Sequence, residues 1–280
     1  MIINTETDSF INKFNRGDFK YDIISTADHD DYAAAVQQVL DGTVKISTKM
    51  RPKFSENALK GLLKCVPIQK RIRPISSSID DKIKLAFKFA GEHDVRTYVN
   101  AVMITPESIT ATDGQRLFSI SCDTEYEEKT LINRSMKKLP AESYPEWKRL
   151  IPDTGEMNHV LINTIKFSEF IRGALRAYKL TDSSIQTIKL MLPSTSSILP
   201  IESKIEMCFN ITYLMSMLEA FEKLRVPLFR MYFKNNMHSA MMTSIKGDII
   251  HLLMTVQMMS IKKTCLFNVD MSEFIDDFAV

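Results

Sequence analysis

Arg172, Arg176 and Lys179 recur at helical spacing around residues 167–178, while Phe167, Phe170, Ile171, Ala174, Leu175 and Tyr178 take the opposite side. Cations three, four and seven residues apart share one helix face. There they can neutralise nucleic-acid phosphates without reading base edges, although solvation alone also produces such faces. Lys82, Lys84 and Lys88 form a second basic row, and Lys223 and Arg225 close a later apolar stretch. No residue set competes for bond-making chemistry. There is no phosphate-loop motif, no GxSxG and no HExxH, and His29, His93, His159, His238 and His251 are scattered. Asp30 with Asp31 and Asp276 with Asp277 read as helix-cap and tail charges rather than acid–base dyads. Cys65, Cys122, Cys208 and Cys265 lie far apart without a CxxC, the pattern of incidental thiols in a reducing compartment. The reading is of a non-enzyme with no catalytic residues, no metal and no cofactor.

Composition sets the frame for these residues. A chain of 280 residues, 45% hydrophobic and 25% charged, can bury the cores of two ordinary globular domains. No apolar run approaches the roughly 18 residues of a membrane span, and Met1-Ile2-Ile3-Asn4 lacks the basic start of a signal peptide. The expectation is a cytoplasmic protein with no membrane partner. A net charge of +2 does not announce nucleic acid, so any DNA-facing surface must come from local clustering. Seventeen methionines suit irregular cores or adaptable peptide-binding surfaces.

Residues 1–79 form a divergent N-terminal region. Within it the pattern predicts a helix over 28–40 stopped by Gly42, a strand over 43–48, and a helix opened by Ser55 and Glu56 that ends before Pro67. Lys64, Lys70, Arg71 and Arg73 then make a basic stretch, either a solvated linker or a DNA-backbone contact. Residues 80–143 begin with a helix capped by Ser78 and running over 80–91, with Ile83, Leu85, Ala86, Phe87 and Phe89 inward. Strands over 98–104, 108–112 and 117–121 follow, with Asp113-Gly114 as the turn, and 123–143 reads as polar connection. Residues 144–260 give strand 160–165, helix 167–178, strands 185–192 and 205–209, helix 212–224, and strands 228–233, 240–244 and 249–258. Residues 261–280 are an acidic, hydrophobic tail. Periodicity alone supports an α+β fold class.

Five segments carry a resemblance to a known family. They are Asp94-Val95-Arg96-Thr97-Tyr98-Val99-Asn100, Ala111-Thr112-Asp113-Gly114-Gln115-Arg116-Leu117-Phe118, and Tyr144-Pro145-Glu146-Trp147-Lys148-Arg149-Leu150-Ile151-Pro152. Then come Cys208-Phe209-Asn210-Ile211-Thr212-Tyr213 and Ile250-His251-Leu252-Leu253-Met254-Thr255-Val256. In this order they resemble the bacterial replicative sliding clamps, the beta subunits of the replicative polymerase. The resemblance implies DNA-clamp domains with helices on one side of curved antiparallel sheets. It also implies a homo-oligomeric ring, dimeric or trimeric, around duplex DNA of any sequence. DNA polymerase and clamp loader would bind through short linear motifs in a hydrophobic pocket.

Carried over by residue, the resemblance puts Val99, Thr112, Gly114, Gln115, Arg116 and Leu117 in the pocket wall. Pro145, Arg149 and Leu150 come from the next segment, and Leu252, Met254 and Val256 from the last strand. Leu117, Leu150, Leu252, Met254 and Val256 would form an apolar floor, with Gln115, Arg116 and Arg149 as polar rim. Each apolar residue taken alone also reads as core. The DNA side would comprise Lys82, Lys84, Lys88, Arg172, Arg176 and Lys179, with Arg96 and Tyr98 beside the pocket.

The chain also departs from the pattern. Gln115 stands where most clamps have His, and Thr255-Val256 where they have Pro-Met. The interval 119–143 is too short for the family's second helix and further strands. A pared-down, phage-type clamp and a clamp-like adaptor or decoy that keeps the pocket without the ring both fit. In the tail, Phe274, Ile275 and Phe278 among four acids suit a helix packed on its own domain, a segment occupying the pocket, or an external partner.

Overall fold

The computed structural model describes residues 69–140, 144–155, 157–179, 187–194, 204–256 and 267–275. The elements expected over 28–40, 43–48 and after Ser55, and Lys64 with them, lie outside the described residues. In chain order the elements are α1 (Ile79–Ala86), β1 (Ala101–Thr105), β2 (Ser108–Thr112), β3 (Arg116–Ser121), β4 (Thr130–Asn133), β5 (Lys138–Leu139) and β6 (Asn158–Asn163). They continue with α2 (Thr164–Lys179), β7 (Thr187–Pro193), β8 (Lys204–Asn210), α3 (Ile211–Lys223), β9 (Leu228–Phe233), β10 (Ala240–Ser244), β11 (Ile249–Leu253) and β12 (Phe267–Asp270).

Local chemistry accounts for most of the boundaries. The Ser78 hydroxyl accepts from the Asp81 amide at 3.3 Å, and Asp80 and Asp81 occupy the first turn of α1, where carboxylates meet unpaired amides. The helix stops earlier than its pattern predicts. Phe87, Phe89 and Ala90 are buried along with Ile83, Leu85 and Ala86, more sides than one amphipathic stripe covers. The chain tightens into three-residue bonds, Lys88 N to Leu85 O at 3.1 Å and Phe89 N to Ala86 O at 2.9 Å. Asn210 opens α3 by accepting from the amides of Thr212 and Tyr213.

Two expectations need correction. The first part of the strand expected over 98–104 is a 310 turn, Thr97–Asn100, because the Asn100 side chain closes a loop onto both backbone groups of Asp94 at 2.7 and 3.0 Å. The polar stretch 123–143 holds β4 and β5, whose Leu131 and Ile132 are buried. Two apolar residues are too few to register as a period.

Nine strands form one sheet in the order β5-β4-β1-β2-β3-β11-β10-β9-β6, every neighbouring pair antiparallel. Alternation divides its side chains between two faces. One face sends Val102, Ile104, Phe118, Phe229, Met231 and Leu253 against Ile83 of α1, Phe167 and Ile171 of α2, and Leu214, Leu218 and Phe221 of α3. The three helices therefore lie on one side of the large sheet. The other face carries Ala101, Met103, Leu117, Leu131, Met241 and Leu252, covered by Tyr144 and Trp147. Most methionines of these strands and of α3 are buried, as gap-filling cores require.

A second sheet, β12-β7-β8, sets β7 antiparallel to β8 and β12 parallel to β7. The described part of the tail is thus a strand and a 310 turn, Met271–Phe274, rather than a helix. Phe274 packs on Phe167 and Phe170 at ring-centroid distances of 5.2 and 5.1 Å, Met271 is fully buried, and Ile275 bridges to Ile162. Residues 267–275 pack on their own unit, away from the β3–β11 seam.

Candidate partner-binding and DNA-facing surfaces

The β3–β11 pairing joins segments more than a hundred residues apart. Leu252 faces Leu117 across this seam, Leu117 faces Thr112 on β2, and Leu252 faces Met241 on β10. This row runs along the sheet face opposite the helices. Tyr144 and Trp147 pack against it, with Tyr98, Ile151, Tyr232 and Ile250 at its margins. Tyr98 meets Tyr144 edge-on at 6.2 Å, and burial pushes the Tyr144 phenol above its usual range. A cleft of about 170 Å³ opens on this side, between β1 and the 310 turn Trp147–Leu150, lined by Met103, Thr105, Lys129, Pro145, Glu146, Trp147 and Lys148.

The turn between β2 and β3 is closed by its own side chains. Asp113 accepts from the amides of Gln115 and Arg116, each at 3.0 Å, and Thr112 donates to the Arg116 carbonyl at 2.7 Å. Gly114 has φ of +87°, a conformation side chains resist, and a Cβ there would meet the Arg96 guanidinium at 3.2 Å. Arg96 is fixed by two bonds to Asp94, at 2.8 and 3.0 Å, which hold the Asp94 carboxyl down at about 2.

On the opposite side of the sheet, Lys84 and Lys88 are exposed and Lys82 is half-buried. Lys84 reaches Asp81 at 3.6 Å, and Lys88 and Lys70 approach Glu219 at 4.0 and 3.7 Å. Burial, and then the adjacent Lys88, lower the pKa of Lys223.

No protein-family model matches the chain, and no curated protein sequence does. Solved structures do match. A DNA polymerase sliding clamp from Pseudomonas aeruginosa gives a TM-score of 0.50 at 16% identity, covering 63% of this chain and 64% of that one. The beta subunit of a DNA polymerase of Streptococcus pyogenes gives 0.51 at 15% identity over 67% and 68%. A putative DNA polymerase III beta subunit from Eubacterium rectale gives 0.52 at 12% identity over 68% of each chain. The fold is that of a sliding clamp. The match spans about two thirds of the length of those clamps.

Within the clamp fold the residues expected at the pocket divide into groups. Thr112, Leu117 and Leu252 share the seam row, and Pro145 lines the adjoining cleft. Gln115 and Met254 are exposed neighbours, the Met254 amide donating to the Gln115 carbonyl at 3.0 Å. Val256 is half-buried and tied through its amide to the Cys208 carbonyl at 2.8 Å. Leu150 and Met254 are 58% and 56% exposed, rim rather than floor. Tyr144, Trp147 and Ile151 take the inward positions of the segment 144–152, and Met254 follows the end of β11. Arg149 is exposed.

Two pocket residues lie elsewhere. Val99 is buried beside Gly91. Arg116 precedes Leu117 on a strand and so points to the other face. There it pairs with Asp113 at 2.8 Å, donates to the Lys88 carbonyl at 2.9 Å and to the Ser216 hydroxyl of α3, and stacks on Tyr213.

Arg172 also departs from expectation. It is 8% exposed, paired with Glu222 between α2 and α3 rather than presented to solvent, because the α2–α3 contact closes over its side of the helix. Arg176 and Lys179 lie on α2, with side chains outside the described residues. Sequence reasoning assigned no pocket role to Trp147, Met103 or Met241. The Tyr144–Trp147 spacing, two aromatics three residues apart in a short turn, was the available signal for the first.

Proposed function

We propose that this chain is a non-enzymatic clamp of DNA replication that encircles duplex DNA as a homo-oligomeric ring and acts as a polymerase processivity factor. In this reading residues 80–143 serve as a partial clamp domain and 144–260 as a fuller one, working in the cytoplasm of a bacterium or phage-infected host. DNA polymerase and a clamp loader dock through short linear motifs on the Thr112–Leu117–Leu252 row, between the exposed rims of Leu150, Arg149, Gln115 and Met254. Duplex DNA of any sequence meets the helix side at Lys82, Lys84, Lys88, Arg176 and Lys179, with Arg96 and Tyr98 at the edge. The observation that carries this reading is the β3–β11 seam. It assembles clamp-like segments on one sheet face while the cationic helices occupy the other. Exposed Leu150 and Met254 beside this covered row offer apolar surface whose burial can offset a peptide's ordering entropy on binding.

Binding of a glutamine-then-hydrophobic clamp-motif peptide tests the docking face. Leu150→Asp and Met254→Asp put a charge at exposed positions, so both variants stay folded, and both are expected to lose the peptide. Undiminished affinity in both rejects the assignment. Mass photometry and retention on circular duplex test the ring. The alternative, an adaptor that keeps the docking face without encircling DNA, is favoured by the interval 122–140, which holds only β4 and β5 and no helix. A strictly monomeric protein that slips off circular DNA would select it.

A further inference from the structure

The geometry points to a phosphate-binding cleft at the base of α2, built by Arg71, Arg172, Arg225 and Lys70. The cleft has a volume of about 390 Å³, and among the described residues its lining sets these four cations against one carboxylate, Glu222. That carboxylate is already engaged by Arg172 and by the Ser168 hydroxyl. Arg172 is more than nine-tenths buried. One terminal nitrogen holds Glu222, while Nε has no acceptor among the described residues. A guanidinium stays charged under all ordinary conditions, so this residue brings a fixed positive charge and an unmet donor to the wall of the cleft. Thr164 is held beside the cleft by its amide's 2.9 Å bond to the Pro227 carbonyl, and its hydroxyl is also buried without a partner among the described residues.

The remaining cations are weakly committed. Among the described residues neither Arg71 nor Arg225 has an ion pair, and Lys70 shares Glu219 with Lys88. Arg225 has φ of +59°, just past the end of α3. Glycine is the residue that position favours for backbone reasons, so an arginine there places a guanidinium at the cleft against local preference. Planar guanidinium forks match tetrahedral phosphate oxygens, and the volume admits a phosphate together with part of the group it esterifies. This cleft lies apart from the docking face, and its occupancy depends on neither ring closure nor partner motifs.

The test uses the full chain, with inorganic phosphate and a short duplex as probes, at matched ionic strength against chloride. Calorimetry on the parent is expected to give saturable phosphate binding, and the Arg172 Nε–H resonance to shift on titration. Arg71→Gln and Arg225→Gly are each expected to weaken phosphate by about tenfold, the loss of one charge-assisted contact. Both should stay folded, since Arg71 is exposed and glycine relieves the backbone at 225. If the same variants weaken the duplex and phosphate competes with it, the group bound is a nucleic-acid phosphate. If the duplex is unaffected, the site takes free phosphate or a small phosphate ester. No saturable binding by the parent, or unchanged affinity in both variants, overturns the proposal.

Discussion

Acidification from about pH 7 to about pH 5 is expected to remove about 2 kcal/mol of stability through one side chain, His251. This residue sits on β11, fully buried, with neither ring nitrogen partnered among the described residues. The rings of Phe89, Phe118 and Phe221 surround it at 5.2, 5.0 and 4.8 Å. Burial, and secondarily the Arg116 charge, push its pKa from 6.5 down to about 3. Between those values the unfolded chain binds a proton that the folded chain refuses, so stability is full above 6.5 and declines as pH falls toward 3. At pH 5 the gap is about 1.5 pK units, each worth about 1.4 kcal/mol, which gives the stated loss. The perturbation is His251→Phe, with His251→Leu as a second replacement; both remove the titration and the unpartnered nitrogens. Urea unfolding of parent and variants at the two pH values is the assay. The variants should lose about 2 kcal/mol less than the parent over this interval. Equal losses would refute the reasoning and assign the proton uptake elsewhere.

Glu222→Gln leaves the buried Arg172 charge uncompensated and is expected to destabilise by about 3–5 kcal/mol, whereas Glu222→Gln combined with Arg172→Met should recover much of this in a double-mutant cycle. Gly114→Ala forces a side chain into φ +87° against Arg96 and should cost about 1–2 kcal/mol in chemical denaturation; an unchanged midpoint would contradict the turn geometry. Phe274→Ala removes a ring packed on Phe167 and Phe170, and a loss of about 3 kcal/mol or more is expected by thermal or urea unfolding. A negligible change would mean that the tail does not hold this position in solution.

Much of the fold could be read from local pattern. Strand β9 falls on residues whose burial alternates, because one fully buried face imposes period two, whereas β10 is buried on both faces and reads as a short apolar run. The turn at Asp113-Gly114 follows from a backbone conformation that glycine adopts without strain. Ser78 and Asn210 mark helix starts because their side chains satisfy amides the helix leaves open. The segments that meet near the β3–β11 seam stand out in the sequence through their resemblance to clamps, and the fold agrees with that resemblance. Tertiary structure decided which side chains face which way across long separations. Arg116 and Leu117 are neighbours in sequence, yet the pleat sends one to the helices and the other to the seam. Arg172 has the spacing of a solvated cation, but α3 brings Glu222 against it, and no local pattern encodes a contact fifty residues away. The same holds for β4, β12 and Phe274. Their sequences are too short to carry a period, and only pairing with β1, β7 and α2 gives them a place.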